Sequence, residues 1–389
     1  MGVINLRWLF GAGVISFVCL PLTAAILPEQ RADVLYHVYD GGGISVGGPS
    51  ILVSKHLTQN ASMSANYYVD SISSASIDVV TSASPYEEER KEKSVGLELL
   101  HDNVIMNFGY KVSNENDFDA KTSSISITQS MLGDLTLVRL SYALGSDIVG
   151  RTMSSPEGGR VRDPDFSEDV RRQSYGLGIS QIVTKKLLLD FVFDTITDEG
   201  YLNNPYRTVR YLDPNNLGAY LRESERYPKT RTSRAAAIRF AYYLPHRAAL
   251  KGEYRIYNDS WGIEASHYQL AYVHPQGSQW LFEGRIRSYS QTGANFYSDL
   301  FSRENAQNYL ARDKELSTFS DFTLGATATY NFKTPGWFIE RGSVNFSYDR
   351  VSIQYDDFRD LRVTGVNAGS EPLYNLDAEV IQFYLSAWY

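Results

Sequence analysis

The stretch Glu379-Val-Ile-Gln-Phe-Tyr-Leu-Ser-Ala-Trp-Tyr389 at the end of the chain decides the fold class. One apolar face holds every second residue, namely Ile381, Phe383, Leu385, Ala387 and Tyr389. A period of two indicates a β-strand rather than a helix. An unpaired apolar strand at the end of a soluble protein frays or promotes aggregation, whereas a closed transmembrane barrel pairs its last strand on both sides. The stretch therefore predicts the last strand of a transmembrane barrel, with the final strand of a soluble sandwich as the alternative.

The composition of the 389 residues supports a membrane barrel. It combines 28 Tyr, 18 Phe and 5 Trp with a mean hydropathy of -0.29. Many aromatic residues within a polar average are typical of strands that alternate between lipid and water. No internal apolar run reaches about 18 residues, so the sequence predicts no membrane-spanning helix. The net charge of -8 and the lack of a face rich in Lys and Arg argue against nucleic acid as a partner.

The N-terminal segment has the pattern of a signal peptide and is set aside from the fold. Arg7 supplies the positive end, and residues 8–22 form an apolar core too short for a comfortable membrane span. The single cysteine, Cys19, lies in this segment. The rest of the chain therefore has no thiol for a disulfide, a zinc–thiolate site or a cysteine nucleophile. The sequence predicts a signal peptide over residues 1–25 and one β-barrel domain over residues 26–389.

Strand-like runs of about ten residues alternate with connectors whose lengths also alternate. The short connectors are Lys55–Gln59, His101–Asn103, Leu132–Asp134, Thr184–Lys186, Leu244–Arg247, Val273–Ser278 and Phe332–Trp337. The long or polar connectors are Ser71–Lys91, Asn114–Lys121, Ser146–Arg171, Asp198–Thr232, Ser290–Thr318 and Gln354–Leu376. Short periplasmic turns and long extracellular loops are the arrangement of outer-membrane barrels. Because both ends of the chain should lie on the periplasmic side, the number of strands should be even. The connectors then predict an all-β antiparallel barrel of about 16 strands, with a first strand at Asp33–Asp40 and a turn at Gly41-Gly42-Gly43. A barrel of about 14 strands remains possible if Tyr36–Gly48 is a plug.

Charged residues within the strands fall on the inward parity. In one strand Leu189, Phe191 and Phe193 would face lipid. Asp190 and Asp194 of the same strand would face the lumen. A charge on the lipid face at mid-depth costs about 2–4 kcal/mol, which accounts for the bias. The candidate lumen-lining residues are Asp190, Asp194, Arg239, Lys251, Glu253, Arg255, His267, Glu283, Arg285 and Arg287.

These lumen charges have two interpretations. In a water-filled pore, opposed basic and acidic walls would set a transverse field that orients polar solutes and biases ion selectivity. Alternatively, the charges pair across neighbouring strands and rigidify or plug the lumen. A barrel of about 16 strands is wide enough for an aqueous channel unless a loop folds in. Ser290–Thr318 and the segment after Asp198 are the candidate constriction loops.

Several spaced motifs resemble one protein family. They include Tyr36-His-Val-Tyr39, Gly48-Pro-Ser-Ile-Leu-Val53, Glu115-Asn-Asp-Phe118, Tyr242-Tyr-Leu-Pro245, Tyr254-Arg-Ile-Tyr-Asn-Asp-Ser-Trp-Gly262 and Arg287-Ser-Tyr-Ser-Gln291. From about Asp33 to its end, the chain resembles the domain-of-unknown-function 3570 family of Gram-negative outer-membrane β-barrel proteins. The resemblance implies a barrel in the bacterial outer membrane and transfers no catalytic residue.

The sequence predicts no enzyme. A surface hydrolase would need a histidine beside a serine or an acid-paired water. Only His267 is placed on an inward strand face, and Ser266 points the other way. The other histidines are His37 at the first strand and His56, His101, His246 and His274 in short turns. A surface hydrolase is therefore the remote alternative.

Two acidic loop clusters have the oxygen ligands that Ca²⁺ prefers. They are Asp163-Pro-Asp165 with Glu168 and Asp169, and Asp356-Asp357 with Asp360. Neither spacing matches a calcium-binding loop of the EF-hand type, and solvated acidic loops are far more common. The sequence predicts no metal and no cofactor.

We expect a bacterial outer-membrane barrel that acts as a porin-like or solute-specific passive channel with a charge-lined lumen. The alternative is a closed or plugged barrel that serves as a scaffold or binding partner in the outer membrane. The expected partners are outer-membrane lipids, the barrel-assembly machinery through the C-terminal strand, and a small polar solute.

Overall fold

A computed structural model describes residues 26–74, 86–155, 159–216, 218–334 and 338–389. The predicted signal peptide over residues 1–25 lies outside these ranges. Within the described ranges, no helix has the length and hydrophobicity that a bilayer-spanning helix needs.

Eighteen strands and two short 3-10 turns make up the regular structure of the described residues. The first nine strands are β1 (Arg31–Gly41), β2 (Ile44–Thr58), β3 (Ala61–Ser74), β4 (Tyr86–His101), β5 (Val104–Asn114), β6 (Phe118–Met131), β7 (Thr136–Ser154), β8 (Arg160–Thr184) and β9 (Leu187–Gly200). The others are β10 (Thr208–Leu212), β11 (Tyr220–Ser224), β12 (Thr230–Tyr243), β13 (Ala249–Asp259), β14 (Glu264–Gln276), β15 (Trp280–Gln291), β16 (Phe319–Lys333), β17 (Arg341–Arg359) and β18 (Leu373–Trp388). The 3-10 turns are Pro245–Arg247 and Lys314–Leu316.

Sixteen of the strands form one closed antiparallel barrel, and β10 and β11 form a separate hairpin. Closure occurs where β1 pairs with β18 on one side and with β2 on the other. The prediction of 16 strands is confirmed, and the 14-strand alternative is wrong because Tyr36–Gly48 lies within β1, β2 and their connecting turn. That turn consists of Gly42 and Gly43, whose φ angles of 60° and 77° favour glycine.

The terminal stretch forms the C-terminal part of β18 and is paired along both edges. Ile381 lies opposite Val38 of β1 and opposite Tyr348 of β17. Phe383 and Phe191 are 49% and 47% exposed on the outward face, so they do not meet in a shared dry core. This arrangement confirms the barrel and excludes the soluble sandwich, in which these side chains would pack together.

Aromatic side chains gather at the short-turn end of the outward face. Trp280 stacks on Phe282 with ring centroids 5.7 Å apart and tilts against Tyr330 at 4.9 Å. The Arg341 guanidinium lies 4.6 Å from the ring centroid of Trp388. Rings with one apolar and one polar edge favour a membrane–water interface. This girdle marks one boundary of the apolar belt.

The strands rise well beyond the belt at the long-loop end. β7 has 19 residues and β8 has 25, whereas about 9–11 residues suffice to cross the hydrocarbon. The sequence interpretation of Ser146–Arg171 as a long loop was therefore wrong over most of its length. Strands above the membrane can present polar residues on both faces, so hydrophobic alternation does not reveal them.

The assignment of the two faces can be tested at Phe191. Arginine at this position would place a charge in hydrocarbon, and Phe191→Arg should destabilise the folded barrel by about 2–4 kcal/mol. The matched change Val192→Arg points to the opposite face and should cost much less, because the charge can be solvated in the lumen. Urea unfolding in lipid vesicles, followed by heat-modifiable gel mobility, measures both. Equal losses would contradict the assignment.

Candidate functional site

A cavity of about 550 Å³ lies in the lumen against the wall formed by β12 to β18. Eight of the ten predicted lumen-lining residues line it: Arg239, Lys251, Glu253, Arg255, His267, Glu283, Arg285 and Arg287. Asp190 and Asp194 lie on β9 and do not line this cavity; Asp194 approaches it through an ion pair with Arg255 at 3.6 Å. Every second residue of each strand points inward, so inward residues of successive strands line the same cavity.

Glu253 is the centre of one group of wall charges. Its carboxylate contacts Arg239 Nε at 2.5 Å, His267 Nε2 at 2.8 Å and Arg255 Nε at 3.7 Å. Lys251 lies 3.5 Å from Glu283, two strands away. A carboxylate that contacts two arginines and an imidazole is held in place, which stiffens this part of the wall.

Sequence reasoning missed two acidic partners on the wall. Arg285 donates through Nε to Asp349 at 2.8 Å, and Arg287 contacts Asp321 at 3.0 Å. Asp321 precedes the outward-facing Phe322, so the alternation that identified the arginines could also have identified this aspartate.

The cavity has balanced formal charge. Seven Arg or Lys side chains and seven Asp or Glu side chains line it, together with His267. The paired interpretation of the wall charges therefore describes the structure, although a lumen lined with paired charges can still hold water.

Three long loops line or cover the lumen: loop A (residues 201–229), loop B (residues 292–318) and loop C (residues 360–372). We refer to them together as the cap. Leu202 and Tyr227 of loop A and Asp313, Glu315 and Leu316 of loop B line the same cavity as the wall charges. Both segments predicted as constriction loops thus contribute to the lumen.

A buried arginine joins the three loops. Arg210, on β10 in loop A, is 1% exposed and donates to the backbone oxygen of Asp299 at 2.9 Å and to Glu371 Oε2 at 3.1 Å. Arg312 contacts the Asp299 carboxylate at 2.9 Å. Asp299 and Arg312 belong to loop B and Glu371 to loop C, so one ion-pair network connects the whole cap. The hydrogen bonds and opposite charges in this network offset the desolvation cost of burying these side chains.

Aromatic packing stabilises the cap beside this network. Tyr227, Trp261 and Phe296 contact one another with ring centroids 5.2–5.6 Å apart. Val209 and Leu310 are fully buried in a second apolar cluster. Val209 lies on strand β10 (Thr208–Leu212), which pairs with β11 in loop A. The cap is therefore a packed layer and not a set of solvated loops.

Glu225 is a titratable group at the centre of the cap. It is 4% exposed, accepts a hydrogen bond from the Tyr227 hydroxyl at 2.6 Å and accepts another from the Arg312 backbone N–H at 2.7 Å. Burial, together with the nearby negative charge of Asp313, raises the pKa of Glu225 to about 7.

The structure also groups polar residues on the wall formed by β1, β3 and β4. His37 Nε2 lies 2.8 Å from Asp70 Oδ1 and 3.1 Å from the Tyr68 hydroxyl, and Arg90 pairs with Asp70. The interpretation that only His267 occupies an inward strand face was therefore wrong. His56, His101 and His274, which were assigned to turns, also lie within β2, β4 and β14.

The two acidic clusters considered for Ca²⁺ are engaged by arginines. Asp163 pairs with Arg151 at 2.6 Å, and Asp360 pairs with Arg362 at 2.7 Å. A different group, Glu88, Glu115 and Asp117, has carboxylate oxygens within 4.8 Å of one another. The long-loop end of β4 and the β5–β6 connection bring these three together.

The role of the Arg210 network can be tested with Arg210→Met. Removing the cation leaves the buried Glu371 without its arginine and leaves Asp299 with Arg312. Removing one partner of a buried ion pair costs about 3–5 kcal/mol, so we expect the cap to open locally while the barrel stays folded. Proteinase K cleavage within loops A, B and C, mapped by mass spectrometry, should increase strongly. Arg222 is the exposed cross-strand neighbour of Arg210. The control variant Arg222→Met should leave cleavage unchanged. A resistant cap in Arg210→Met would contradict the assigned role.

The cap should also respond to pH through Glu225. A carboxyl whose pKa is higher in the folded cap than in the unfolded chain stabilises the cap below the ordinary value of 4.5, and this contribution is lost as the pH rises through about 7. Cleavage of loops A and B, normalised to a flexible reference peptide, should therefore be faster at pH 8 than at pH 5. Glu225→Gln cannot ionise and should remove most of this difference. An unchanged pH profile in the variant would exclude Glu225 as the titrating group.

Comparison with curated protein sequences gives no match. Solved structures similar to the chain are outer-membrane barrels. They include CdiB from Acinetobacter baumannii, which is 9% identical at a TM-score of 0.47. The match covers 91% of this chain, and the chain spans 60% of the length of CdiB. OmpT from Vibrio cholerae has 10% identity over 92% of this chain and 98% of that one at a TM-score of 0.43. The outer membrane protein OpdK from Pseudomonas aeruginosa has 9% identity over 93% and 100% at a TM-score of 0.42.

The family profile described as protein of unknown function (DUF3570) matches residues 77–347. The matched segment is more than half of the chain and includes all ten predicted lumen-lining residues. It agrees with the resemblance that the spaced motifs indicate. The chain therefore belongs to the DUF3570 family and has the fold of an outer-membrane β-barrel.

Proposed function

We propose that this protein is a passive channel in the outer membrane of a Gram-negative bacterium, and that loops A and B narrow its lumen. The observation that supports this proposal most directly is the shared lining of the cavity. Asp313 and Glu315 of loop B line the same cavity as Arg239, Arg285 and Arg287 of the wall. Acidic groups on an inward loop and basic groups on the wall create a polar constriction of limited size.

The balanced charge of the cavity favours small polar solutes over ions of one sign. Seven cations and seven anions give no net formal charge, yet each pair keeps a local dipole. In a confined space such dipoles orient a neutral or zwitterionic solute through hydrogen bonds and weak fields. The proposal assigns the barrel no catalytic step and no cofactor. It includes contact with membrane lipids and recognition of β18 by the barrel-assembly machinery.

A closed barrel that acts as a scaffold is the second candidate. The cap favours it, because Arg210, Val209 and Leu310 are buried in a packed layer over the long-loop end. Such a layer could block passage and present a folded surface to a partner. Conductance across planar bilayers separates the two candidates.

The channel proposal predicts stable conductance steps and a selectivity that single wall charges control. Arg285→Ala leaves Asp349 and Glu283 without this cation, so the cation-to-anion permeability ratio should rise about two- to fivefold. Glu315→Gln should shift the ratio in the opposite direction. The exposed turn-end residue Lys55 supplies the control Lys55→Ala, with no expected shift. Silence from protein that is folded by heat-modifiable mobility would reject the channel and support the scaffold.

A further inference from the structure

Three cations occupy one transverse row on the outward face of the barrel. Lys93 of β4 lies opposite Val112, which lies opposite Lys121 of β6. Lys121 lies opposite Ser146, which lies opposite Arg171 of β8. Since neighbouring strands are about 4.8 Å apart, the backbones of successive cations are about 10 Å apart. We call Lys93, Lys121 and Arg171 the basic row.

The basic row crosses the upper boundary of the apolar belt. Its members are eight, ten and thirteen residues from the short-turn ends of their strands. With a rise of about 3.3 Å per residue and a tilt of about 40°, these positions are about 20, 25 and 33 Å above the turns. The apolar belt of such barrels is about 25 Å tall, so Lys93 lies just inside its upper boundary, Lys121 lies at the boundary, and Arg171 lies above it among the lipid headgroups.

Below the basic row, and past Ser123 on β6 and Gln173 on β8, the outward residues are apolar. On β4 they are Val95 and Leu97, on β6 Ile127 and Ile125, and on β8 Tyr175 and Leu177. All six are at least 36% exposed on the outward face. A lipid with its headgroup on the row would therefore place its acyl chains against an apolar surface.

The pairing of the basic row differs from that of the lumen wall. The cavity-lining cations Arg239, Arg285 and Arg287 all pair with acids. Within the described ranges, by contrast, no ion pair joins any member of the basic row to an acid. Lys93 only approaches the Tyr67 ring, at 6.0 Å from its centroid.

Outward acids compensate the row only in part: Asp119 interacts electrostatically with Lys121, and Asp169 lies two residues from Arg171 on the same face. Glu199 is the cross-strand neighbour of Arg171, yet the two form no ion pair. Asp119 is occupied by Arg162 at 2.6 Å. The row therefore presents three cations outward, across the boundary between the apolar belt and the lipid headgroups.

We infer that the basic row binds the phosphate groups of a phosphorylated glycolipid in the outer leaflet, with the acyl chains against the apolar belt. Lysine and arginine form strong charge-assisted hydrogen bonds with phosphate oxygens. Cations about 10 Å apart can contact separate phosphates of one headgroup or of adjacent lipids. This inference rests on the orientation of the barrel in the outer membrane and is independent of conduction.

The test is a titration of the detergent-folded full barrel with bis-phosphorylated lipid A, followed by native mass spectrometry. Each cation near an anionic lipid surface contributes about fivefold to affinity, so the triple variant K93Q/K121Q/R171Q should bind about 100-fold more weakly. The matched control K55Q/K185Q/K186Q neutralises three exposed cations at the short-turn end and should bind as the unmodified barrel does. Heat-modifiable mobility verifies that each variant folds.

Two further probes identify the ligand chemistry. Dephosphorylated lipid A should bind the unmodified barrel as weakly as bis-phosphorylated lipid A binds the triple variant. Millimolar inorganic phosphate should compete poorly, because it lacks acyl chains. Equal binding by the triple variant, or equal binding of dephosphorylated lipid, would overturn the inference. Complete competition by inorganic phosphate would also overturn it, by indicating a free-anion site.

Discussion

The structure depends on one constraint, which is that every backbone N–H and C=O group within hydrocarbon must find a partner inside the protein. A sheet satisfies this only if it has no free edge, so β1 must meet β18. The register along that seam runs from Arg31 opposite Trp388 to Gly41 opposite Ala378 without interruption. Once the sheet is closed, alternation forces one face of every strand outward and the other into a shared lumen. The charged wall and the apolar belt both follow from this closure.

The cap obeys a different balance of forces. Above the membrane, water can satisfy backbone groups, so the loops need no closed sheet. They are held by burial of aromatic side chains and by the charges that join Arg210, Asp299 and Glu371. These pairs are between residues 89 and 161 positions apart in the chain. The cap is therefore a tertiary structure built on the barrel, and it can loosen without unfolding the strands beneath it.

The sequence was sufficient for the barrel because a period of two is a local signal. The pattern around Phe191 and around Phe383 identified the faces, and the alternation of short and long connectors gave the strand number. Alternation could have identified Asp321 as an inward acid, but its pairing with Arg287 depends on the register between strands, which local patterns do not specify. The fold of loops A, B and C was missed because contacts between distant residues, such as Arg210 and Glu371, produce no periodic pattern in the sequence. Strand extensions such as those of β7 and β8 escaped because solvated strands need not alternate.

The compensation of charges along the lumen wall restricts how the sequence can change over time. Lys251 pairs with Glu283 two strands away, and Arg285 pairs with Asp349 two strands further on. Losing either member of a pair leaves its partner unbalanced in a confined space. Substitutions at these positions should therefore be correlated among members of the family, with both members of a pair reversed or neutralised together. Such covariation between strands would record the register of the barrel in the sequences themselves.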